Sequence, residues 1–376
     1  MINQYRIRGQ VGKGQHGEVW LCEDTRDNDK QAAMKVVKRT NPRLDKMNRL
    51  RRKPLIPPSN HTPLTEAIGE TERQIRKEIA IMKKCRHPHI VKLLEVIDDK
   101  LKSKIYMIME YLGGGEIRWK DEYSNPTLRI DQTRRIFRDV TLGLEYLHYQ
   151  GIIHRDIKPA NLLWSSDRQT VKITDFGVSH FSYAQHLAAV GKDISKAKKY
   201  EEDMIFMDDS ALSKTAGTPS FYAPEVISDD RYKTFSSDSL INATQSMPRR
   251  QITKAIDIWA LGVTLYCLLF GRVPFDPPDQ SEFTLYRLIC EDDWGVLDTM
   301  GSDRAPTYGR KPRKMYKDTE GYTAVKLLDR LMDKVPSERI ELDQVKVRFL
   351  NRLFLGCRSD SGPTSVAFGM GSPRPP

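Results

Sequence analysis

The chain has 376 residues, more than one average domain and enough for two lobes with a sizeable core. Lysine and arginine number 61 against 50 aspartates and glutamates, a formal net charge of +11 that raises the question of nucleic-acid or membrane binding. The cysteines (Cys22, Cys85, Cys267, Cys290 and Cys357) are scattered with no C-x-x-C pair, so neither a disulfide framework nor a zinc site is indicated and a reducing compartment is expected.

The positive excess is local. Lys38, Arg39, Arg43, Lys46, Arg49, Arg51 and Arg52 lie between Lys35 and Lys53, opposed only by Asp45. No aromatic residue interleaves with them, as a single-strand nucleic-acid surface would want. The stretch therefore reads as a solvated insert, with a nucleic-acid patch as the alternative. The N-terminus has no apolar signal segment. The longest apolar run, Ile258 to Phe270, falls short of the roughly 20 residues of a membrane span. It reads as a buried core helix. A cytoplasmic monomer with possible nuclear access, bound to neither nucleic acid nor membrane, is expected.

In chain order, Tyr5 to Val11 reads as a strand entering Gly12-Lys13-Gly14-Gln15-His16-Gly17. G-x-G-x-x-G alone is weak, because dinucleotide-binding folds also carry it, but they need a helix after the turn. Here Glu18 to Cys22 alternates as a strand does. Strand, glycine turn and strand make a phosphate-covering flap, whose glycines let backbone N–H groups approach closely. Ala32-Ala33-Met34-Lys35 is the next strand, and its spacing from the flap makes Lys35 a candidate phosphate anchor. Residues 39–69 are basic and then proline-rich, with no helix or strand period, and are expected to be a disordered insert. Glu70 to Lys84 recovers a helical period with Ile75, Ile79 and Met82 on one face. Glu70, Glu72 and Glu78 compete to pair with Lys35. Glu78 is taken on register, at the edge of the apolar face beside Ile79.

His87-Pro88-His89 lacks a third metal ligand and reads as a turn into a strand. Ile105 to Met109 runs into Glu110-Tyr111-Leu112 and three glycines, as a hinge between lobes would. Asp131 is expected to cap a helix with Ile136, Phe137, Val140, Leu144 and Leu147 on its apolar face, ended by Gly151.

The next stretch carries the chemistry. It is His154-Arg155-Asp156-Ile157-Lys158-Pro159-Ala160-Asn161, followed by Asp175-Phe176-Gly177. Moving a phosphoryl group asks a protein to align two oxygens and neutralise charge. Asp156 can accept a hydroxyl proton. Lys158, two residues on, points to the same side of an extended loop and can reach a phosphate. Asn161 and Asp175 offer hard oxygen ligands suited to Mg²⁺. A lone His-Arg-Asp is weak; the whole set in this order is specific. Asp175 to Glu225 is a long segment with a charged middle, Tyr183 to Met207, closing on Gly217-Thr218-Pro219 and Ala223-Pro224-Glu225. Residues 229–251 read as a second polar insert, Glu341 to Leu355 as a last helix, and 356–376 as a disordered tail.

These motifs together resemble the protein kinases from Tyr5 to Leu355. The resemblance implies an α+β, two-lobed fold: a small, mostly antiparallel β-sheet lobe with one helix over residues 1–112, and a larger, mostly helical lobe over 113–355. It implies ATP and Mg²⁺ as cofactors. The nucleotide would be held by Gly12, Lys13, Gly14 and Gly17, by Val19 and Ala33 against the base, and by Lys35 on the α- and β-phosphates. Met109 would guard the back of the pocket, backbone groups of Glu110 and Leu112 would meet adenine, and Glu116 would reach the ribose. Lys158 with Gly217-Thr218-Pro219 points to serine/threonine specificity, with Thr218 bonding to Asp156 and Lys158. Glu225 would pair with Arg339, and Asp257 would accept N–H groups of the catalytic loop.

A narrower resemblance rests on Lys77-Glu78-Ile79-Ala80-Ile81-Met82-Lys83-Lys84, Val91 to Asp99, Tyr146-Leu147-His148-Tyr149-Gln150 and Leu212-Ser213-Lys214-Thr215-Ala216. These look like the calcium/calmodulin-dependent protein kinase kinases and their fungal counterparts. That implies activation-loop threonines of AMP-activated (Snf1-type) kinases as substrates. Lys214 stands where many kinases carry a phosphorylated threonine, so activity is expected not to need phosphorylation of this loop; Ser213 and Thr215 are the residues that would restore the usual scheme. Val345 to Leu355 is basic and amphipathic, as calmodulin targets are, but is read as the last structural helix. A pseudokinase scaffold is the alternative. Such proteins usually lack the residues matching Lys35, Asp156 or Asp175, and all three are present.

Overall fold

Alternating side chains over residues 5–38 fold into three antiparallel strands, β1 (Tyr5–Gly14), β2 (Gly17–Asp24) and β3 (Lys30–Lys38). The computed structural model describes residues 1–14, 17–39, 70–182, 216–227, 252–311, 313–317 and 319–346. Gln15 and His16 of the glycine turn, the insert after Arg39, Tyr183 to Met207, Ser213-Lys214-Thr215, the insert at 229–251, the last helix beyond Lys346 and the tail lie outside the described residues.

The glycine-rich stretch belongs to the hairpin rather than following it. β1 runs on to Gly14, which pairs with Gly17. At Gly17 φ is +135° and a Cβ would meet the Val36 carbonyl oxygen at 2.5 Å, so only glycine fits there. Strands β4 (Leu93–Asp99) and β5 (Lys104–Glu110) complete a five-stranded antiparallel sheet in the order β1-β2-β3-β5-β4. Met34, Met107 and Ile108 at its centre are fully buried.

One helix, α1 (Glu70–Lys84), packs on this sheet. Its buried positions are Ile75, Glu78, Ile81 and Met82, whereas Ile79 is only half-buried. Glu78 therefore lies within the buried face, not at its edge beside a buried Ile79. A charged residue can occupy that place because a cation meets it there.

The larger lobe follows β6 (Gly115–Glu116). Helix α2 (Ile130–Tyr149) buries Ile136, Phe137, Val140, Leu144 and Leu147, and Gly151 follows its end with φ +74°. Its N-cap is Arg129, not Asp131. The Gln132 side chain accepts the Arg129 N–H at 3.0 Å, and Asp131 already lies in the first helical turn, 3.1 Å from Arg129 Nε. The acidic residue suits the positive helix end but lies two positions too late to cap it.

Strand β7 (Ile152–Ile153) pairs with β10 (His180–Phe181), and β8 (Leu162–Trp164) pairs with both β6 and β9 (Val171–Ile173). Helix α3 (Ala255–Phe270) is buried from Ile256 to Phe270 and forms the centre of the lobe. It packs on α2 and on α5 (Glu320–Leu331). Helix α4 (Glu282–Glu291), the short pair β11 (Thr299–Met300) and β12 (Ala305–Pro306), and α6 (Leu342–Val345) complete the described chain. Among the described residues no helix is long and apolar enough to cross a membrane. His87 stacks on Tyr146, with ring centroids 4.9 Å apart.

Candidate active site

The loop between β7 and β8 is fixed from below by helix α3. Asp257 is fully buried and accepts the backbone N–H groups of His154 and Arg155, each at 2.8 Å, and lies 2.9 Å from His148 Nε2. Burial opposes its charge, but the bond from His148, the two imidazoles and the loop N–H groups outweigh this and hold its carboxyl below the ordinary aspartate value. His154 itself is buried, edge-on to Phe176 at 5.1 Å. Arg155 and Asp175 adopt left-handed backbone angles, φ +71° and +64°. Such angles cost non-glycine residues about 1–3 kcal/mol and persist only where the surroundings enforce them.

Above this base three polar groups close a triangle. Lys158 Nζ donates to Thr218 Oγ1 at 2.6 Å, Thr218 Oγ1 donates to Asp156 Oδ1 at 2.8 Å, and Lys158 Nζ lies 2.8 Å from Asp156 Oδ2. Asn161 donates its amide N–H groups to the Asp156 carbonyl at 2.8 Å and to Asp156 Oδ2 at 2.9 Å. This leaves the Asn161 amide oxygen as the end offered to a cation.

The second cluster links the two lobes. Lys35 Nζ is 2.6 Å from Glu78 Oε1 and 3.3 Å from Asp175 Oδ1. Burial alone would pull the Lys35 ammonium down, but the Glu78 and Asp175 carboxylates more than offset it, and the group is held above the ordinary lysine value. The strand register places Val19 opposite Lys35 and Ala33 opposite Met109.

A cleft of about 610 Å³ runs between the lobes. Gly12, Lys13, Gly14, Gly17, Val19, Ala33, Lys35, Glu78, Met109, Glu110, Leu112, Glu116 and Asp175 all line it. Its lining stops at Ala160 and Asp175 on the catalytic-loop side; Asp156, Lys158, Asn161 and Thr218 form the adjoining cluster. The two meet where the Asn161 carbonyl accepts the Thr174 N–H at 3.0 Å. The Glu110 side chain is engaged with Lys172 and with the Lys92 N–H, both at 2.8 Å, and its own N–H donates to the Lys92 carbonyl.

Leu163 is a cleft residue that the sequence reading passed over. Its signal was available: Leu162 is buried in β8, so period-2 alternation turns Leu163 to the other face. Val11, Met82 and Val91 also line the cleft, but each looks like an ordinary core residue in sequence.

Cleft and cluster together can hold an anionic chain, place oxygen ligands beside it and set a carboxylate near an incoming hydroxyl. The sequence pattern of the protein kinase domain matches residues 60–348. The chain is 40% identical over 346 residues to the serine/threonine-protein kinase ssp1 of Schizosaccharomyces pombe, covering 92% of this chain and 42% of that protein. It is 38% identical over 360 residues to SNF1-activating kinase 1 of Saccharomyces cerevisiae, covering 92% of this chain and 28% of that one. It is 37% identical over 296 residues to the calcium/calmodulin-dependent protein kinase kinase of Caenorhabditis elegans, covering 77% of this chain and 45% of that one. The chain thus spans less than half the length of each of these relatives. It belongs to the protein kinase domain family.

Proposed function

We propose that this chain is an ATP- and Mg²⁺-dependent serine/threonine protein kinase that acts on the activation-loop threonine of Snf1- and AMP-activated-type kinases. The observation that carries the catalytic reading is the Asp156–Lys158–Thr218 triangle, with contacts of 2.6–2.8 Å. Asp156 is positioned to accept the proton of a substrate hydroxyl, and Lys158 to hold charge on the transferred group. Lys35, kept by Glu78, orients the nucleotide phosphates. Asn161 and Asp175 supply the oxygen ligands for Mg²⁺, which neutralises phosphate charge when bound. The presence of Lys35, Asp156 and Asp175 together weighs against a pseudokinase scaffold. The substrate class is supported by the likeness to SNF1-activating kinase 1. A reducing compartment such as the cytoplasm suits Cys22, Cys85, Cys267 and Cys290, which form no disulfide among the described residues.

The test is phosphate transfer from labelled ATP to a kinase-dead Snf1-type catalytic domain, with Mg²⁺, with and without Ca²⁺/calmodulin, beside an Asp156→Asn control. Transfer to the activation-loop threonine without calmodulin is the expected result. Transfer only with calmodulin would show that the basic stretch Val345 to Leu355 has a regulatory role. No transfer despite bound ATP would sink the substrate reading or favour the scaffold.

A further inference from the structure

Strand β3, with the residue after it, is joined to helix α1 by two ion pairs with a shared apolar cluster between them. Lys35 and Val37 lie on one face of β3, spaced by two, and Arg39 directly follows the strand's last residue, Lys38. On α1 the residues are Glu78, Ile75 and Glu72, spaced by three and hence on one side of the helix. Lys35 meets Glu78 at 2.6 Å, Val37 and Ile75 share one buried apolar cluster, and Arg39 Nη1 meets Glu72 Oε1 at 2.6 Å. The Arg39 guanidinium also bonds Asp98 of β4, and its backbone N–H donates to the Ser103 carbonyl at 3.0 Å. Arg39 therefore ties β3, β4 and α1 at one point.

We propose that Arg39 is a positioning residue that sets the register of helix α1 against β3, so that Glu78 arrives at Lys35. A single ion pair between helix and strand is a pivot. A shared apolar cluster and a second ion pair, six residues back toward the helix N-terminus, remove both the swing and the axial slide. The side chains of Arg39 and Glu72 are only 12% and 16% exposed, so their attraction is less screened than at a free surface.

The local chemistry makes this separable from plain stability. Glu72 Oε1 is shared with Arg76, whose Nη2 and Nε lie 2.7 and 3.1 Å away. When Arg39 is removed, Glu72 keeps Arg76 and Asp98 turns to water, so no buried charge is orphaned. What is lost is the link between elements.

The test uses the full chain with Arg39→Met, Glu72→Gln, the double variant and Arg39→Lys. The expected result is a fall in kcat of about tenfold in each single methionine or glutamine variant, with a smaller rise in the KM for ATP. The double variant should be no worse than either single. Arg39→Lys, which keeps the Glu72 pair, should recover most of the loss. A kcat in Arg39→Met within about twofold of the parent overturns the proposal. The kinetic arm rests on the kinase reading above, so amide hydrogen exchange over Gln74 to Lys84 is measured alongside. It should speed up in Arg39→Met at unchanged global stability, and unchanged exchange overturns the proposal even if the parent proves to phosphorylate nothing.

Discussion

Arg339 and Glu225 form a two-point ion pair, Nη1 to Oε1 at 2.5 Å and Nη2 to Oε2 at 2.7 Å, with both side chains 1% exposed. The pair joins the end of the Gly217 to Glu225 segment to the stretch after α5. The same guanidinium donates to the Ala255 carbonyl at 2.9 Å and lies over the Trp259 ring. Glu225→Ala strands a buried cation and should destabilise the chain by about 3–5 kcal/mol, read by urea unfolding. A loss below about 1 kcal/mol would mean that water reaches the pair.

Asp156→Asn removes the proposed proton acceptor but keeps a group of the same shape. Turnover should fall by about a hundredfold to ten-thousandfold while ATP affinity stays nearly unchanged. Phosphate transfer at the parental rate would place the base elsewhere.

Asp257 sets an acid limit on stability. Its folded carboxyl is held below the ordinary value, so its stabilising contribution is complete above the unfolded pKa of about 4 and is lost as pH falls through the lower folded value. Asp257→Asn should flatten that part of the stability–pH curve and lower kcat, because one of the two loop N–H groups loses its acceptor oxygen. An unchanged acid limb in the variant would reject the assignment.

Lys35 has the opposite sign. Its folded ammonium is held above the ordinary value, so its contribution is complete below a pH of about 10.4 and is lost only as pH climbs through the raised value. Lys35→Met should abolish phosphate transfer and remove this alkaline loss, measured by thermal unfolding between neutral and strongly alkaline pH.

Gly114 lies against the turn after β8: a Cβ there would meet the Ser165 carbonyl oxygen at 2.3 Å and Trp164 Cβ at 2.5 Å. Gly114→Ala should cost about 1–3 kcal/mol and weaken ATP binding by displacing the lobe-connecting segment. Parental affinity in this variant would show that the segment yields without disturbing the cleft.

The legible parts of the sequence were those with local signatures. The residues from His154 to Asn161 and the Asp175 motif declare the family within a few positions, and the strand alternation on both sides of the glycine turn declares the hairpin. The pairing of Glu225 with Arg339 could be read because a buried carboxylate demands a cation. What stayed hidden was register between elements. Helical periodicity marks Ile75 and Met82 as buried but does not say which side of Glu78 meets the strand, so Glu78 was placed at an edge when it lies inside. Arg39 looked like one more cation at the start of a basic insert. Its partner Glu72 lies 33 residues away, and only the folded sheet brings them together. Asp131 failed as a cap because it stands two residues past the cap position, which the backbone gave to Arg129.

The hold of Asp257 on the catalytic loop has a consequence for the order in which the protein becomes competent during synthesis. The loop N–H groups it grips precede it by 102 and 103 residues. A nascent chain that has emerged through Asp175 already carries Lys35, Glu78, Asp156, Lys158 and Asn161, yet the acceptor of the His154 and Arg155 N–H groups is still missing. At a translation rate of about 5–20 residues per second, several seconds separate the appearance of these groups from the arrival of helix α3. Competence is therefore delayed until α3 has left the ribosome and packed, and a ribosome stalled before Asp257 leaves the His154 and Arg155 N–H groups without that acceptor.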